Sequence, residues 1–333
     1  MAKRAVFVVI NDYRQLQPDG GANLRGCLSD GEQWKDVLTK LGWLESDIRT
    51  LKDGQATREN IVAAAAWLVA GAQPGDQLFL QYSGHGSYVN VPSVGIRPII
   101  CFSGPDVFKR PLTFKDMGEV LQVPEGVALT CIMDCCHSGA RMREFNPHMQ
   151  PTNERKPRFL SPPEGDMVAA CMELAATLPP VEAGTGQTLT PAAASEAARA
   201  LIEAAPVADR RIVSNNFTVA LTGCTLQQTS ADAFIGGQYR GAFTAYAVEL
   251  LKSFGYSLPY ATLIAKVNAL LKAHGYTQNP QFEGDPNYAN LTFMAVPVVT
   301  TADATPDVQP AGRDGDVLMD ADADADRGKS GQG

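Results

Sequence analysis

Gln77-Leu-Phe-Leu-Gln-Tyr-Ser83-Gly-His85-Gly86 and Val127-Ala-Leu-Thr-Cys-Ile-Met-Asp134-Cys-Cys136-His-Ser-Gly139 decide the fold. Each opens with a mostly apolar run and ends in small, polar and reactive residues. Runs of this length and composition suit strands buried on both faces of a parallel sheet. Their reactive residues then fall just beyond the strands' carboxyl ends, where open α/β sheets gather functional groups.

The pattern repeats outward from these two stretches. Ala5 to Ile10 reads as a first strand closed by Asn11-Asp12, and Ile48 to Leu51 as a second. Ile99 to Phe102, Phe217 to Thr222 and Leu291 to Val296 read as further strands, the last completing the sheet. Helices alternate with them. Leu28, Trp34, Val37, Leu38 and Leu41 recur at helical spacing up to Gly42, and Thr57 can cap a helix carrying Ile61, Ala64, Ala65 and Leu68. Thr113 to Leu121, Ala242 to Phe254 and Tyr260 to Ala273 are the others. This order predicts right-handed crossovers and an α/β fold, a mostly parallel sheet with helices on both faces.

Composition narrows the function. The chain has 333 residues with 28 Lys and Arg against 36 Asp and Glu, a formal charge of −8. Polyanions bind through clustered cations, so neither nucleic acid nor an anionic membrane is expected as a partner. The apolar run at the start stops at Ile10, and Ile61 to Ala72 is far short of the roughly 20 residues of a membrane span. Seven cysteines cannot all pair, which favours reduced thiols and a cytoplasmic setting. Residues 162–215 turn to Ala, Pro, Thr and Glu and read as an inserted linker. Residues 300–333 are rich in Asp, Ala, Pro and Gly, and too poor in apolar groups to offset their ordering entropy. A disordered acidic tail is expected there.

A lone Gly-His-Gly is ordinarily a loop, and a lone buried cysteine is ordinarily packing. Their pairing is what points to chemistry. Cysteine has an ordinary pKa near 8.5, so an imidazole that takes its proton makes the thiolate nucleophile at neutral pH. Glycines around His85 let the backbone turn sharply there. His137, adjacent in sequence to Cys136, points elsewhere in an extended segment and is a poor base. His148 and His274 read as surface or core residues. A zinc site from Cys131, Cys135, Cys136 and His137 lacks a Cys-x2-Cys spacing and leaves His85 idle. A redox role for the vicinal Cys135-Cys136 pair likewise lacks the Cys-x-x-Cys spacing.

Six motifs in order resemble the metacaspases, type I and bacterial caspase-like cysteine peptidases. They are Asn23-Leu-Arg-Gly-Cys27-Leu-Ser-Asp30, Tyr82-Ser-Gly-His85-Gly, Asp134-Cys-Cys136-His-Ser-Gly, Arg158-Phe-Leu-Ser-Pro-Pro163, Thr222-Gly-Cys224-Thr-Leu-Gln-Gln-Thr-Ser-Ala-Asp232 and Gln278-Asn-Pro-Gln-Phe-Glu-Gly284. His85 stands about 50 residues before Cys136, the caspase separation. The resemblance implies a caspase-like three-layer αβα sandwich. Residues 1–161 would form its large-subunit-like part, with the His and Cys, and 216–299 its small-subunit-like part.

It further implies His85 as general base, Cys136 as the nucleophile that forms a thioester, and backbone N–H groups of Gly86 and Cys136 as oxyanion donors. Cys27, Asp30, Ser83 and Asp134 would line the primary pocket. Two carboxylates there predict cleavage of protein or peptide substrates after Arg or Lys. Arg155, Lys156, Arg158, Arg210 and Arg211 match that specificity, so self-processing is an expectation. A silent caspase-fold scaffold or regulatory binding protein is the alternative, which the intact His and Cys disfavour. Many relatives need calcium, but Ser87 to Leu112 holds Asp106 as its one carboxylate, so no cofactor is expected. Leu226-Gln227 replaces an acidic pair, reducing charge in the outer pocket. The chain is expected to act as a monomer.

Overall fold

A computed structural model describes residues 1–91, 95–136, 155–163, 219–225 and 228–296. The linker from 164, the tail, His137, His148, Arg210, Arg211 and Leu226-Gln227 lie outside the described residues. Met1–Val298 form one compact unit; Val299–Gly333 lie wholly outside the description.

The central sheet has six strands in the order β12-β9-β7-β3-β1-β2. These are β1 (Lys3–Val9), β2 (Ile48–Lys52), β3 (Gln77–Ser83), β7 (Ala128–Asp134), β9 (Val219–Thr222) and β12 (Gln281–Gly284). All neighbours are parallel except β12, which runs antiparallel to β9. Alternation along β1 shows why helices cover both faces. Val6 and Val8 pack with Ile61, Ala65 and Leu68 of α2 (Arg58–Val69) and Met117 of α3 (Phe114–Val120). Ala5 and Phe7 face Trp34 and Leu38 of α1 (Cys27–Lys40), Phe243 and Leu251 of α4 (Ala242–Ser253), and Leu263 and Val267 of α5 (Tyr260–Ala273). Thus the architecture is the three-layer αβα sandwich. Truncating one of these large fully buried side chains to Ala should cost about 2–5 kcal/mol.

Local signals behave as their chemistry dictates. The Thr57 hydroxyl accepts from Asn60 N at 3.2 Å and starts α2. Gly42, just past α1, has a φ of +82°, the left-handed turn that glycine adopts without strain.

Three readings need correction. Leu291 to Val296 is not a strand. It makes one isolated bridge, Thr292 to Pro259, and is held instead by burial of Phe293 and Met294. The sixth strand is β12, polar enough (Gln-Phe-Glu-Gly) to escape a search for apolar runs. Second, Gly84 and Gly86 are absent from the residues with positive φ; close approach, not a turn, requires them. A Cβ on Gly84 would lie 2.5 Å from the Tyr13 hydroxyl, and one on Gly86 would lie 1.5 Å from the Cys136 carbonyl oxygen. Third, the strand read at Ile99 to Phe102 is β5 (Gly95–Ile100), which leaves the main sheet to pair with β4 (Gly86–Val91) and β6 (Leu112–Thr113).

A second small sheet carries the site's other wall. Here β10 (Ala231–Ile235) and β11 (Gln238–Gly241) form a hairpin, and β8 (Arg155–Pro157) adds antiparallel to β10.

Candidate active site

The register Ser83↔Asp134 brings the carboxyl ends of β3 and β7 level, so His85 and Cys136 leave the sheet side by side. Tyrosine hydroxyls fix the His85 backbone. Its N–H donates to Tyr13 Oη at 2.8 Å, and its carbonyl accepts from Tyr82 Oη at 2.6 Å and from Cys101 N at 2.9 Å. The imidazole lies against the Tyr13 ring, 4.7 Å between centroids.

Ring nitrogen Nε2 sits 2.6 Å from the Ala22 carbonyl. A carbonyl can only accept, so Nε2 carries the proton and Nδ1 presents its lone pair. Nδ1 has no hydrogen-bond partner. Burial depresses the imidazole to about 4, with the Ala22 carbonyl opposing, so His85 is neutral at pH 7. The Cys136 sulfur accepts from Ser230 N at 2.9 Å and its thiol donates to Ser230 O at 3.4 Å, so the structure holds no hydrogen bond between Cys136 and His85 Nδ1.

One segment of the chain runs through this space. The Arg158 carbonyl oxygen accepts from Gly86 N at 3.0 Å and from Cys136 N at 3.2 Å. Its N–H donates to Ser230 O at 2.9 Å, extending the pairing of β8 with β10. Beyond it Phe159 bridges Gly86, Leu160 N donates to Gly86 O at 3.0 Å, and Ser87 Oγ donates to Leu160 O at 2.6 Å. The two N–H groups expected to stabilise an oxyanion therefore converge on one peptide carbonyl.

The Arg158 side chain is fully buried among carboxylates. One terminal nitrogen donates to Asp30 Oδ2 at 2.6 Å and Asp232 Oδ1 at 3.0 Å. The other donates to Ser83 Oγ at 2.7 Å and the Asp134 carbonyl at 3.1 Å, and lies 3.3 Å from Asp134 Oδ1. Burial opposes this charge, but Asp30 first, with Asp134 and Asp232, outweighs it and keeps the guanidinium protonated.

The carboxylates do not depend on Arg158 alone. Asp30 also accepts from Ser83 Oγ (2.6 Å) and Gly241 N (2.8 Å). Asp134 accepts from Ser230 Oγ (2.6 Å), Thr244 N (3.1 Å) and Thr244 Oγ1 (2.7 Å). Asp232 accepts from Arg25 N (2.8 Å) and Gly26 N (3.0 Å). Such a pocket stays hydrogen-bonded whether or not a cation fills it. Burial pushes the Asp30 carboxyl up to about 7, with Arg158 pulling the other way.

Structure thus brings together Asp30, Ser83 and Asp134 around one guanidinium. Cys27, at the start of α1, is buried beside them, and burial pushes its thiol well up. Asp232, which the sequence motif holds without an assigned role, also contacts this guanidinium. Its signal was an acid in an otherwise uncharged stretch, from Thr218 to Gln238, on an antiparallel hairpin. Cys135 packs in the core, and among the described residues no group of His, Cys, Asp and Glu could hold a metal ion.

A three-layer αβα sandwich with a cysteine and a histidine at neighbouring strand ends defines a caspase-like fold. Residues 3–144 match the family model for the metacaspase, peptidase C14 domain. Metacaspase-1 of Mycosarcoma maydis is 29% identical over 310 residues, covering 88% of this chain and 73% of that one. Metacaspase-1 of Eremothecium gossypii is 29% identical, covering 88% and 66%. Metacaspase-2 of Trypanosoma brucei brucei is 35% identical over 159 residues, 42% of each chain. The chain spans roughly two thirds to three quarters of the two metacaspase-1 relatives. The crystal structure of protein GSU0716 from Geobacter sulfurreducens shares the fold, with a TM-score of 0.59, 19% identity, and coverage of 89% of this chain and 99% of that one. Residues 3–144 thus resemble a metacaspase peptidase domain, and most of the chain is similar to metacaspases, which are cysteine peptidases.

Proposed function

We propose that the protein is an endopeptidase cutting after arginine or lysine through Cys136 and His85, and that its own Arg158–Phe159 bond is one substrate. The observation that carries this is Arg158 itself. Its side chain fills a carboxylate pocket while its carbonyl oxygen takes the N–H groups of Gly86 and Cys136, the posture of a residue about to be cut.

In this reading Cys136 Sγ gives its proton to His85 Nδ1 and attacks the carbonyl carbon. The oxyanion that forms is held by the Gly86 and Cys136 N–H groups. Collapse breaks the peptide bond, and His85 passes the proton to the departing amine of Phe159. A thioester on Cys136 remains. Water then attacks it, with His85 again as base, and releases the new carboxyl terminus. Asp30, Ser83, Asp134 and Cys27 line the pocket, with Asp232 as a further acceptor. Purified protein should hydrolyse peptides ending in Arg before a reporter group at least about 100-fold faster than those with Asp. Activity should vanish in Cys136→Ala; equal turnover of Arg and Asp peptides would end the reading.

The acid side of the pH profile should report the pocket rather than the base. Asp30 attracts the cation above about 7 and loses that pull as pH falls through it. The neutral His85 persists until pH falls through about 4. Rates on arginine peptides should therefore drop below pH 7 in the wild type. In Asp30→Asn they should be lower but flat to about pH 5. A wild-type profile level down to pH 5 would contradict this.

Activity is also proposed to need no calcium. The one carboxylate between Ser87 and Leu112, on Asp106, already lies 3.4 Å from Arg110. Calcium takes six to eight oxygens. Activity should survive a calcium chelator; loss on chelation with recovery on adding Ca²⁺ would overturn the point.

A further inference from the structure

Two more cations of the segment in the cleft are specifically received, and neither belongs to the primary pocket. Lys156 Nζ donates to the Gly21 carbonyl at 2.5 Å and the Asn23 carbonyl at 2.6 Å, in the loop between β1 and α1. Arg155 lies with its guanidinium 4.2 Å from the centre of the Tyr276 ring. It donates to the carbonyls of His274 at 3.2 Å and Gly275 at 3.3 Å.

The second site has a physical reason to hold a cation. His274 and Gly275 follow the last residue of α5, a 14-residue helix, so their carbonyls lie at its negative end. An aromatic face beside them adds a cation–π attraction. At the first site two carbonyl oxygens converge on one ammonium, and Asp232, which lies opposite Lys156 in the β8–β10 register, adds negative charge nearby. Antiparallel pairing with β10 fixes the depth of each side chain, so these contacts follow from position along the strand rather than from the partner's identity.

We propose that the cleft carries two further cation subsites, the Gly21 and Asn23 carbonyls for the third residue before the cut, and the α5 carboxyl end with Tyr276 for the fourth. The preferred substrate is then a basic tract, Arg-Lys-Pro-Arg in kind, rather than any isolated arginine. This rests on the reading that Arg158 stands where a substrate arginine binds.

The test is a set of reporter peptides cut by the purified full chain: Arg-Lys-Pro-Arg, Arg-Ala-Pro-Arg, Ala-Lys-Pro-Arg, Ala-Ala-Pro-Arg and Ala-Ala-Pro-Asp. Expected kcat/KM is at least about tenfold higher for the first than for Ala-Ala-Pro-Arg, with the two mixed peptides between them. Tyr276→Leu should erase the gain from Arg at the fourth position and leave the gain from Lys at the third. Equal rates on all four arginine peptides, with the Asp peptide uncut, would overturn the two subsites and leave the primary pocket standing. If none of the arginine peptides is cut, the underlying reading falls with them.

Discussion

Asp30→Asn should lower kcat/KM on arginine peptides by roughly 30- to 1000-fold while leaving the fold intact. Asp30 makes the shortest contact with the Arg158 guanidinium, 2.6 Å, inside a pocket where neither partner is exposed. Removing one member of a buried hydrogen-bonded charge pair costs about 2–5 kcal/mol, and each 1.4 kcal/mol is tenfold. An amide keeps the shape. Its oxygen can still accept from Gly241 N, and its NH2, standing where Oδ2 stood, can donate to Ser83 Oγ, so the fold should persist. Lysine peptides should lose less than arginine peptides. An ammonium cannot reach Asp30 and Asp232 with one nitrogen and Ser83 with another, as the guanidinium fork does. Circular dichroism together with steady-state kinetics on both peptide series checks this. An unchanged kcat/KM in folded Asp30→Asn would remove Asp30 from the pocket.

The second large effect concerns Arg158→Ala. If this arginine were only a structural counter-ion, losing it would strand three buried carboxylates and unfold the chain. The hydrogen-bond inventory argues otherwise, because Asp30, Asp134 and Asp232 keep seven other protein donors between them. The variant should remain folded and uncut between residues 158 and 159. Its Cys136 should react with a peptidyl-arginine electrophile at least about tenfold faster than in the uncut protein, since a resident arginine no longer competes for the pocket. Global unfolding of Arg158→Ala, or labelling slower than in the uncut chain, would return Arg158 to a structural role.

Much of the fold was legible because buried parallel strands write themselves as apolar runs. Ala5 to Ile10, Gln77 to Ser83 and Val127 to Met133 could hardly be anything else, and Thr57 announced its helix by a capping oxygen. Strands that are short and half-buried were not legible. Neither β12, with two polar residues in four, nor the β10–β11 hairpin, whose longest apolar run is Ala233 to Ile235, carries an apolar run of strand length. Such strands exist because long-range partners hold them, which no local pattern records.

The site divided the same way. His85 and Cys136 stood at strand ends with glycines beside them, and Asp30 and Asp134 entered through a family resemblance. Two things depended on tertiary register alone. One was Asp232, brought against Arg158 across 74 residues of sequence. The other was the placement of Arg158, rather than Arg155 or Lys156, among the carboxylates, which follows from the pairing of β8 with β10.

Mass spectrometry of the purified full chain over time decides whether Arg158 is cut by its own Cys136. A fragment beginning at Phe159 should form in the wild type and in neither Cys136→Ala nor Arg158→Asp. A chain that hydrolyses arginine peptides while its Arg158–Phe159 bond stays whole would contradict this.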